Sequence, residues 1–491
     1  MKKAAYIALV ISMIAGQVMP VPADAGPMAQ SRASIVAEAQ TIVDSYSELG
    51  WFSGSVLLAK DGQPIYQAAK GMANRDTATP NHRDTKYNLG SIMKHYTAVL
   101  VLQQVENGAV SLDAELDDFD LGFPLDVAQK ITVRHLLHHR SGFADIFTAE
   151  YREDQLAFET IAEKLGLLKD APLLFEPGSE HHYSNYGYVV LGAILEKVTG
   201  ESFATLLQEN IFDPLQLDNS VYPYRADAAN QSLRYTFNYA GEQVLTGVTE
   251  HHSPDGGIES TTTDVLSFYR ALFYSDKLLS RENNEIREYF SVDGEYWSAF
   301  GGGAGVSTAV ELDLKNNYQI VVLANTDQLV AEEISGRIYS YIQSGGYDPI
   351  ILPPHVYAWN VYQDIGAEAF SSGFAERYKS DGYTQFIGRT LNELGMSLLD
   401  ADKWDDAFNV FGTLVGLFPE APQAYDSLAY AFLRKGDVEG ARQTFNRALK
   451  LQPGFSSDYS PKNYGADNST ATSSSLKLEF RCCEDRLNPQ K

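Results

Sequence analysis

Tyr87-Asn88-Leu89-Gly90-Ser91-Ile92-Met93-Lys94 sets a serine and a lysine three residues apart at the start of a helical pattern. The run that follows, His95 to Asn107, carries apolar Val99, Leu100, Leu102 and Val105, a spacing that predicts a helix with one buried face. Side chains three apart on a helix are neighbours, about 5–6 Å between Cβ atoms, so Lys94 can reach the Ser91 hydroxyl. A free serine hydroxyl is a poor nucleophile at neutral pH and needs an adjacent base. A lysine can serve once desolvation or nearby positive charge lowers its pKa. The stretch therefore points to serine acyl transfer, with Ser91 as nucleophile and Lys94 as base or proton shuttle. The spacing alone is unspecific. Ser474 and Lys477 repeat it in a Ser/Thr-rich tail, and a helix cap beside a solvated lysine reads the same way.

The rest of the chain narrows the choice. Its 491 residues allow more than one domain. A formal net charge of −26 argues against nucleic acid and anionic membrane surfaces as partners. Met1-Lys2-Lys3, the apolar run Ala4 to Met19 and Ala23-Asp24-Ala25 read as a secretory signal over residues 1–25. That apolar run is short for a span. The expectation is a periplasmic or secreted protein with no membrane span in the mature chain. Cys482 and Cys483, adjacent and near the end, cannot build a disulfide framework. His135, His138 and His139 lack the H-E-x-x-H arrangement, so neither metal nor cofactor is expected.

Along the chain, Gln30 to Leu49 reads as an amphipathic helix, and Phe52 to Ala59 and Ile65 to Lys70 as strands about an Asp61-Gly62 turn. Ile131 to Phe143 reads as a helix closed by Gly142. Pro177-Gly178 leads into a tyrosine-rich loop where Tyr183 and Asn185 share one side, before a helix starting near Gly187. Asp255-Gly256-Gly257 runs into a helix capped by Thr261. Gly305 to Leu312 and Tyr318 to Ala324 read as a closing hairpin, entered through Gly301, Gly302 and Gly303, where backbone can approach a ligand closely. Further on, Leu391, Leu394, Gly395, Ala407, Phe411 and Pro419 recur 34 residues later as Tyr425, Leu428, Ala429, Ala441, Phe445 and Pro453. That period matches two tetratricopeptide repeats. The domain reading is a signal peptide over 1–25, a catalytic domain over 26–346, and a linker and packing helix over 347–387. Two repeats over 388–455 and a disordered Ser/Thr/Asn-rich tail over 456–491 complete it.

Taken in order, several blocks resemble the serine β-lactamase and penicillin-binding-protein-like hydrolases, especially their class C and esterase branch. These are Ser91-x-x-Lys94, Leu136-Leu137-His138-His139-x-Ser141-Gly142, Tyr183-Ser184-Asn185 after Pro177-Gly178, Gly256-Gly257, and Val321-Val322-Leu323-Ala324-Asn325. The resemblance, running from about Ile35 to Asn325, implies an α/β fold: an antiparallel sheet flanked by helices, with a helical subdomain. It makes Tyr183 the relay of protons to the leaving group and Asn185 the holder of the substrate carbonyl. The oxyanion hole falls to backbone N–H groups of Ser91 and the glycine strand Gly301-Gly302. Where the family carries Lys-Thr-Gly or His-x-Gly, this chain reads Ala299-Phe300-Gly301 without gaps, or Phe300-Gly301-Gly302 with a one-residue shift. Neither triplet holds a cation, which leaves His251 and His252 as candidate substitutes from a neighbouring loop. The expected function is an exported serine hydrolase of an ester, amide or peptide. The alternative is a weak or inactive relative that binds or senses a ligand while its repeats recruit a protein or peptide partner.

Overall fold

Both residues of the Asp61-Gly62 turn take positive φ, 53° and 76°, as a two-residue hairpin turn of the twisted kind requires. This computed structural model describes residues 30–222, 230–246, 250–291, 294–457 and 459. The expected signal peptide, Cys482, Cys483 and nearly all of the expected disordered tail lie outside them. The turn joins β1 (Gly54–Lys60) to β2 (Gln63–Lys70). Short strands β3 (Tyr87–Asn88) and β4 (Glu259–Ser260) pair with each other. The hairpin of β5 (Tyr296–Gly303), β6 (Val306–Asp313) and β7 (Tyr318–Ala324) completes a five-stranded antiparallel sheet in the order β2-β1-β7-β6-β5. β1 and β7 pair from Gly54↔Ala324 to Lys60↔Tyr318.

β1, β6 and β7 are buried almost residue for residue rather than alternately, because both faces of the sheet are covered. Helices α1 (Arg32–Glu48) and α6 (Val330–Ser344) pack together and on the sheet. On the other side Leu57, Ala59, Val310, Leu312, Val321 and Leu323 join the main core with α2 (Met93–Glu106) and α5 (Thr262–Tyr274). Successive strand residues point to opposite faces, which is how one strand feeds two layers. α2 differs from expectation: from Met93 to Leu102 it is buried on nearly every side, as befits a helix set inside a domain rather than on its surface.

Three further elements place the site. α3 (Val133–Leu137) is capped by Thr132, whose hydroxyl accepts from the His135 N–H. The helix expected up to Gly142 stops at Leu137 instead, and His139 turns into the left-handed region at φ 54°. α4 (Asn185–Thr199) is capped by Ser184 and ends at Gly200, φ 75°. Asn185 is therefore the first residue of a helix and not part of an extended loop with Tyr183. Thr261 caps α5 as its spacing to Asp264 predicts.

A second compact unit comprises Phe237–Glu242 and the described chain from Ile351 onward. It holds α7 (Pro354–Ser380), interrupted at Gly366 by φ 77°, then α8 (Ile387–Asp400), α9 (Trp404–Leu417), α10 (Pro422–Lys435) and α11 (Val438–Leu451). The repeat's small residues have a visible cause. A Cβ at Gly395 would lie 2.5 Å from the Phe411 ring, so α8 and α9 pack closely only without one. Ala429 and Phe445 occupy the matching positions in the second repeat, both buried. Segment 347–387, read as linker and packing helix, contributes Trp359, Tyr362, Phe370, Phe374 and Tyr378 to the core of this unit.

Candidate active site

β3 runs into a single 3₁₀ turn, Gly90–Ile92, that presents Ser91 at the head of α2. Gly90 sits at φ 53°, and its N–H is held by Asn88 Oδ1 at 2.8 Å. Lys94, one turn on, is only 4 % exposed. Its Nζ donates to Ser91 Oγ at 3.3 Å and to the main-chain oxygen of Asp255 at 2.6 Å. Tyr183 comes from the other side and donates its hydroxyl to Ser91 Oγ at 2.7 Å. The lysine nitrogen also lies 5.1 Å from the centre of the Tyr183 ring. Two proton-carrying groups thus converge on one serine oxygen, from a helix and from the segment that caps another helix.

The left-handed turn at His139 places its imidazole flat on Tyr183, ring centres 4.5 Å apart. Its Nδ1 accepts from the Ser184 N–H at 3.2 Å, which leaves the proton on Nε2. Burial, aided by the nearby Lys94 cation, pushes its pKa down to about 3, so the ring is neutral. Asn185 donates both its main-chain N–H and its Nδ2 to the carboxylate of Asp145, at 3.0 and 3.1 Å. Burial raises the Asp145 carboxyl, against those bonds and the Ile146 N–H. Ser184 ties the same loop down by donating to Ala144 O.

The glycine strand closes the site from the sheet. A Cβ on Gly301 would lie 2.2 Å from Leu89 O and 3.1 Å from Ser91 N. A Cβ on Gly90 would lie 2.8 Å from Gly302 N. The backbones of β5 and the serine turn are therefore as close as glycine permits. This close approach singles out Gly301, the glycine that ends the ungapped triplet Ala299-Phe300-Gly301. By strand alternation Ala299 shares Gly301's face, toward the serine. It is buried and uncharged, while Phe300 is exposed on the other face.

His251 and His252 make other contacts. His252 packs against Gly257 and the Tyr222 ring, and burial pushes its pKa down to about 3. The His251 ring contacts Leu156 O. The rings of His181 and His182 meet His139 and Phe175 respectively. Behind the serine turn, Arg234 donates to Glu259 at 3.3 Å, both nearly inaccessible. Glu259 also takes Gln231 and Asn88, a buried network that backs the residue holding Gly90. Sequence reasoning missed His139 as the ring on Tyr183, Asp145, the Asp255 carbonyl and this network. The one available signal was the second histidine of the Leu136–Gly142 block, set apart by its place just before Arg140-Ser141-Gly142.

The beta-lactamase profile matches residues 39–340, and a tetratricopeptide-repeat profile matches residues 392–454. The chain belongs to the beta-lactamase family. The family is one of serine hydrolases, and the sheet, the helical layer and the order of the blocks are those of its members. Penicillin-binding protein 4* of Bacillus subtilis is 28% identical over 263 residues, 50% of this chain and 57% of that protein. Esterase EstB of Burkholderia gladioli is 31% identical over 198 residues, 37% of this chain and 50% of that protein. The chain thus spans about half the length of the curated relatives it matches. A penicillin-binding protein from Bacillus halodurans superposes with a TM-score of 0.55 at 25% identity, over 62% of this chain and 99% of that one. Among the described residues, no helix is long and apolar enough to cross a membrane, and no three metal-ligating side chains cluster.

Proposed function

We propose that the protein is an exported serine hydrolase that cleaves an ester, amide or peptide bond through a covalent acyl-enzyme on Ser91. The observation that carries this is the convergence of Lys94 Nζ and Tyr183 OH on Ser91 Oγ. In the forward step one member of the Lys94–Tyr183 pair, in its deprotonated form, takes the Ser91 proton as Oγ bonds to the substrate carbonyl carbon. The carbonyl electrons move onto oxygen, facing the N–H groups of Ser91 and Gly302. Ser91 sits in the first turn of its helix, where N–H groups have no intrahelical acceptor, and such preset donors stabilise developing charge. Collapse expels the leaving group, which receives the proton through Tyr183. Water then attacks the acyl carbon, gives its proton to the same pair, and Ser91 is regenerated. Asn185 has already committed one amide hydrogen to Asp145; its second is the donor for a substrate carbonyl.

An esterase and a penicillin-binding protein among the relatives support the reaction class, and the N-terminal sequence supports export to the periplasm or beyond. The helical repeats imply a protein or peptide partner. The uncharged Ala299 favours the second reading, a weak or inactive binding protein. One experiment separates the two. Intact-mass analysis after a fluorophosphonate probe should show a single adduct on Ser91, and Ser91→Ala should abolish adduct and ester turnover together. Lys94→Ala should cost nearly as much, because residues acting as one unit do not lose rate additively. Absence of both adduct and turnover in the folded wild type leaves the binding protein.

A further inference from the structure

The space where Gly301 lacks a side chain is taken by a hydroxyl from the next strand. Thr308 of β6 stands opposite Gly301 in the sheet register and is fully buried. A Cβ on Gly301 would lie 2.6 Å from Thr308 Oγ1. With that space open, Oγ1 donates toward two main-chain oxygens, Leu89 O at 3.0 Å and Gly301 O at 3.1 Å. A threonine hydroxyl has one hydrogen, so this is a three-centre bond shared between the serine turn and the glycine strand.

Each of these oxygens belongs to a peptide unit beside Ser91. Gly301 O and the Gly302 N–H lie in one planar peptide, where oxygen and hydrogen point opposite ways. Holding the oxygen from β6 therefore aims the Gly302 N–H toward the outer side of β5, the edge strand of the sheet. Leu89 O stands at the entry to the serine turn and also accepts from the Ile92 N–H at 3.2 Å, which closes the turn around Ser91. The Leu89–Gly90 peptide is held at its other end too, where the Gly90 N–H donates to Asn88 Oδ1. Thr308 thus fastens the peptide that carries one proposed oxyanion donor to the turn that carries the other. Without the hydroxyl, both oxygens lose that donor in a buried place, where an unmade bond is costly.

We propose that Thr308 is a positioning residue for the acyl-transfer reaction: its hydroxyl sets the separation and aim of the Ser91 and Gly302 N–H groups. It acts through the backbone it holds. The inference rests on the acyl-enzyme chemistry proposed above. Donors preset for a developing oxyanion lower the barrier more than they tighten substrate binding, so their misalignment falls on kcat.

The test is steady-state turnover of a chromogenic neutral ester by the full chain, with kcat taken per fluorophosphonate-labelled site. Thr308→Val swaps the hydroxyl for a methyl group of similar size. It should lower kcat by roughly ten- to a hundredfold, less than the loss of a whole donor, with KM little changed. The rate of fluorophosphonate labelling should fall in step, because the phosphoryl oxygen occupies the same hole. Thr308→Ser restores the hydroxyl and should recover most of kcat. A threonine that only stabilised the sheet would lower the unfolding temperature of the valine variant and leave kcat per labelled site unchanged. Should the valine variant not fold, Thr308→Cys, with its weak S–H donor, is measured in its place. Wild-type kcat in the folded valine or cysteine variant, a serine variant no better than these, or a loss confined to KM would each overturn the proposal and leave the acyl-enzyme reading standing. A wild type that neither labels nor turns over the ester overturns both.

Discussion

At Gly301 the structure has no room for a methyl group. A side chain there would push β5 off the serine turn, since Leu89 O and Ser91 N stand in its way. Gly301→Ala should lower kcat for a small ester by about 10²–10³-fold, the range seen when one oxyanion donor is lost, with KM changing less. Steady-state kinetics on a chromogenic ester checks this; unchanged kcat would mean Gly302 is not a donor to the substrate. Histidines set a second expectation. His95 is partly buried and hydrogen-bonded to Tyr269 OH at 2.7 Å, and desolvation with the neighbouring Lys94 pushes its pKa down to about 3. The unfolded chain takes up this proton as pH falls through about 6.5, the folded chain only near 3. The histidine thus leaves stability intact above pH 6.5 and erodes it between 6.5 and 3. Buried carboxyls such as Glu332, raised to about 7, act in the opposite sense. Comparing His95→Gln with wild type isolates the histidine: the drop in Tm from pH 7.5 to 4.5 should be smaller in the variant. An equal drop would show that His95 titrates normally.

At the scale of elements, the third block bears on what the proposed site would accept. β5 offers Ala299 where a cation would face the serine, so a substrate carboxylate finds no partner there. Hydrogen bonds to charged groups contribute about 1.5–3 kcal/mol, which corresponds to roughly ten- to a hundredfold in kcat/KM. Neutral esters should therefore be turned over in preference to penicillins and cephalosporins, and Ala299→Lys should narrow the gap. A cephalosporin processed well above neutral esters by the wild type would require a cation from another element. These elements were legible in the sequence to unequal degrees. The first hairpin was, because Asp61-Gly62 carries its own turn chemistry. So were the repeats, because Gly395 and Phe411 recur as Ala429 and Phe445. The end of α3 was not: nothing local marks His139 as the residue that leaves the helix, since its stacking partner Tyr183 lies far along the chain. Asp145 escaped for the same reason, its role existing only once α4 brings Asn185 beside it. The face of α2 was misread because a helix covered on all sides has no polar side to give a period.

For the whole molecule, the grouping of Phe237–Glu242 with the repeat unit bears on how the chain can be cut. Tyr239 lies edge-on to Trp359 at 4.9 Å, under the Lys403 ammonium. A chain ending at Gly346 keeps the sheet, both covering layers and every residue around Ser91, but uncovers Tyr239. We expect it to fold, accept the serine probe and hydrolyse neutral esters within a few fold of the full chain. It should be less soluble, and Tyr239→Ser should relieve that. Aggregation of both truncated forms would mean that the repeats are needed for the catalytic fold.

The strand order carries a consequence for how the polypeptide comes into being. β7 is the last strand to be made, yet it lies in the middle of the sheet, between β1 and β6. Until Tyr318–Ala324 has been synthesised, the β1–β2 hairpin and the β5–β6 hairpin face an empty slot. Gly54 must wait for Ala324, its partner across the whole domain. Closing so long a loop costs entropy before any contact repays it, and topologies rich in such distant pairs fold slowly. The waiting edge of β1, with Val56, Leu57 and Leu58, is an apolar strand open to wrong pairings. A nascent chain arrested before Tyr318 should remain protease-sensitive along its whole length, and one arrested after the last strand has emerged should become resistant in a single step. Under the export proposed above, an architecture that cannot fold until its last sheet strand is made is a way of staying threadable.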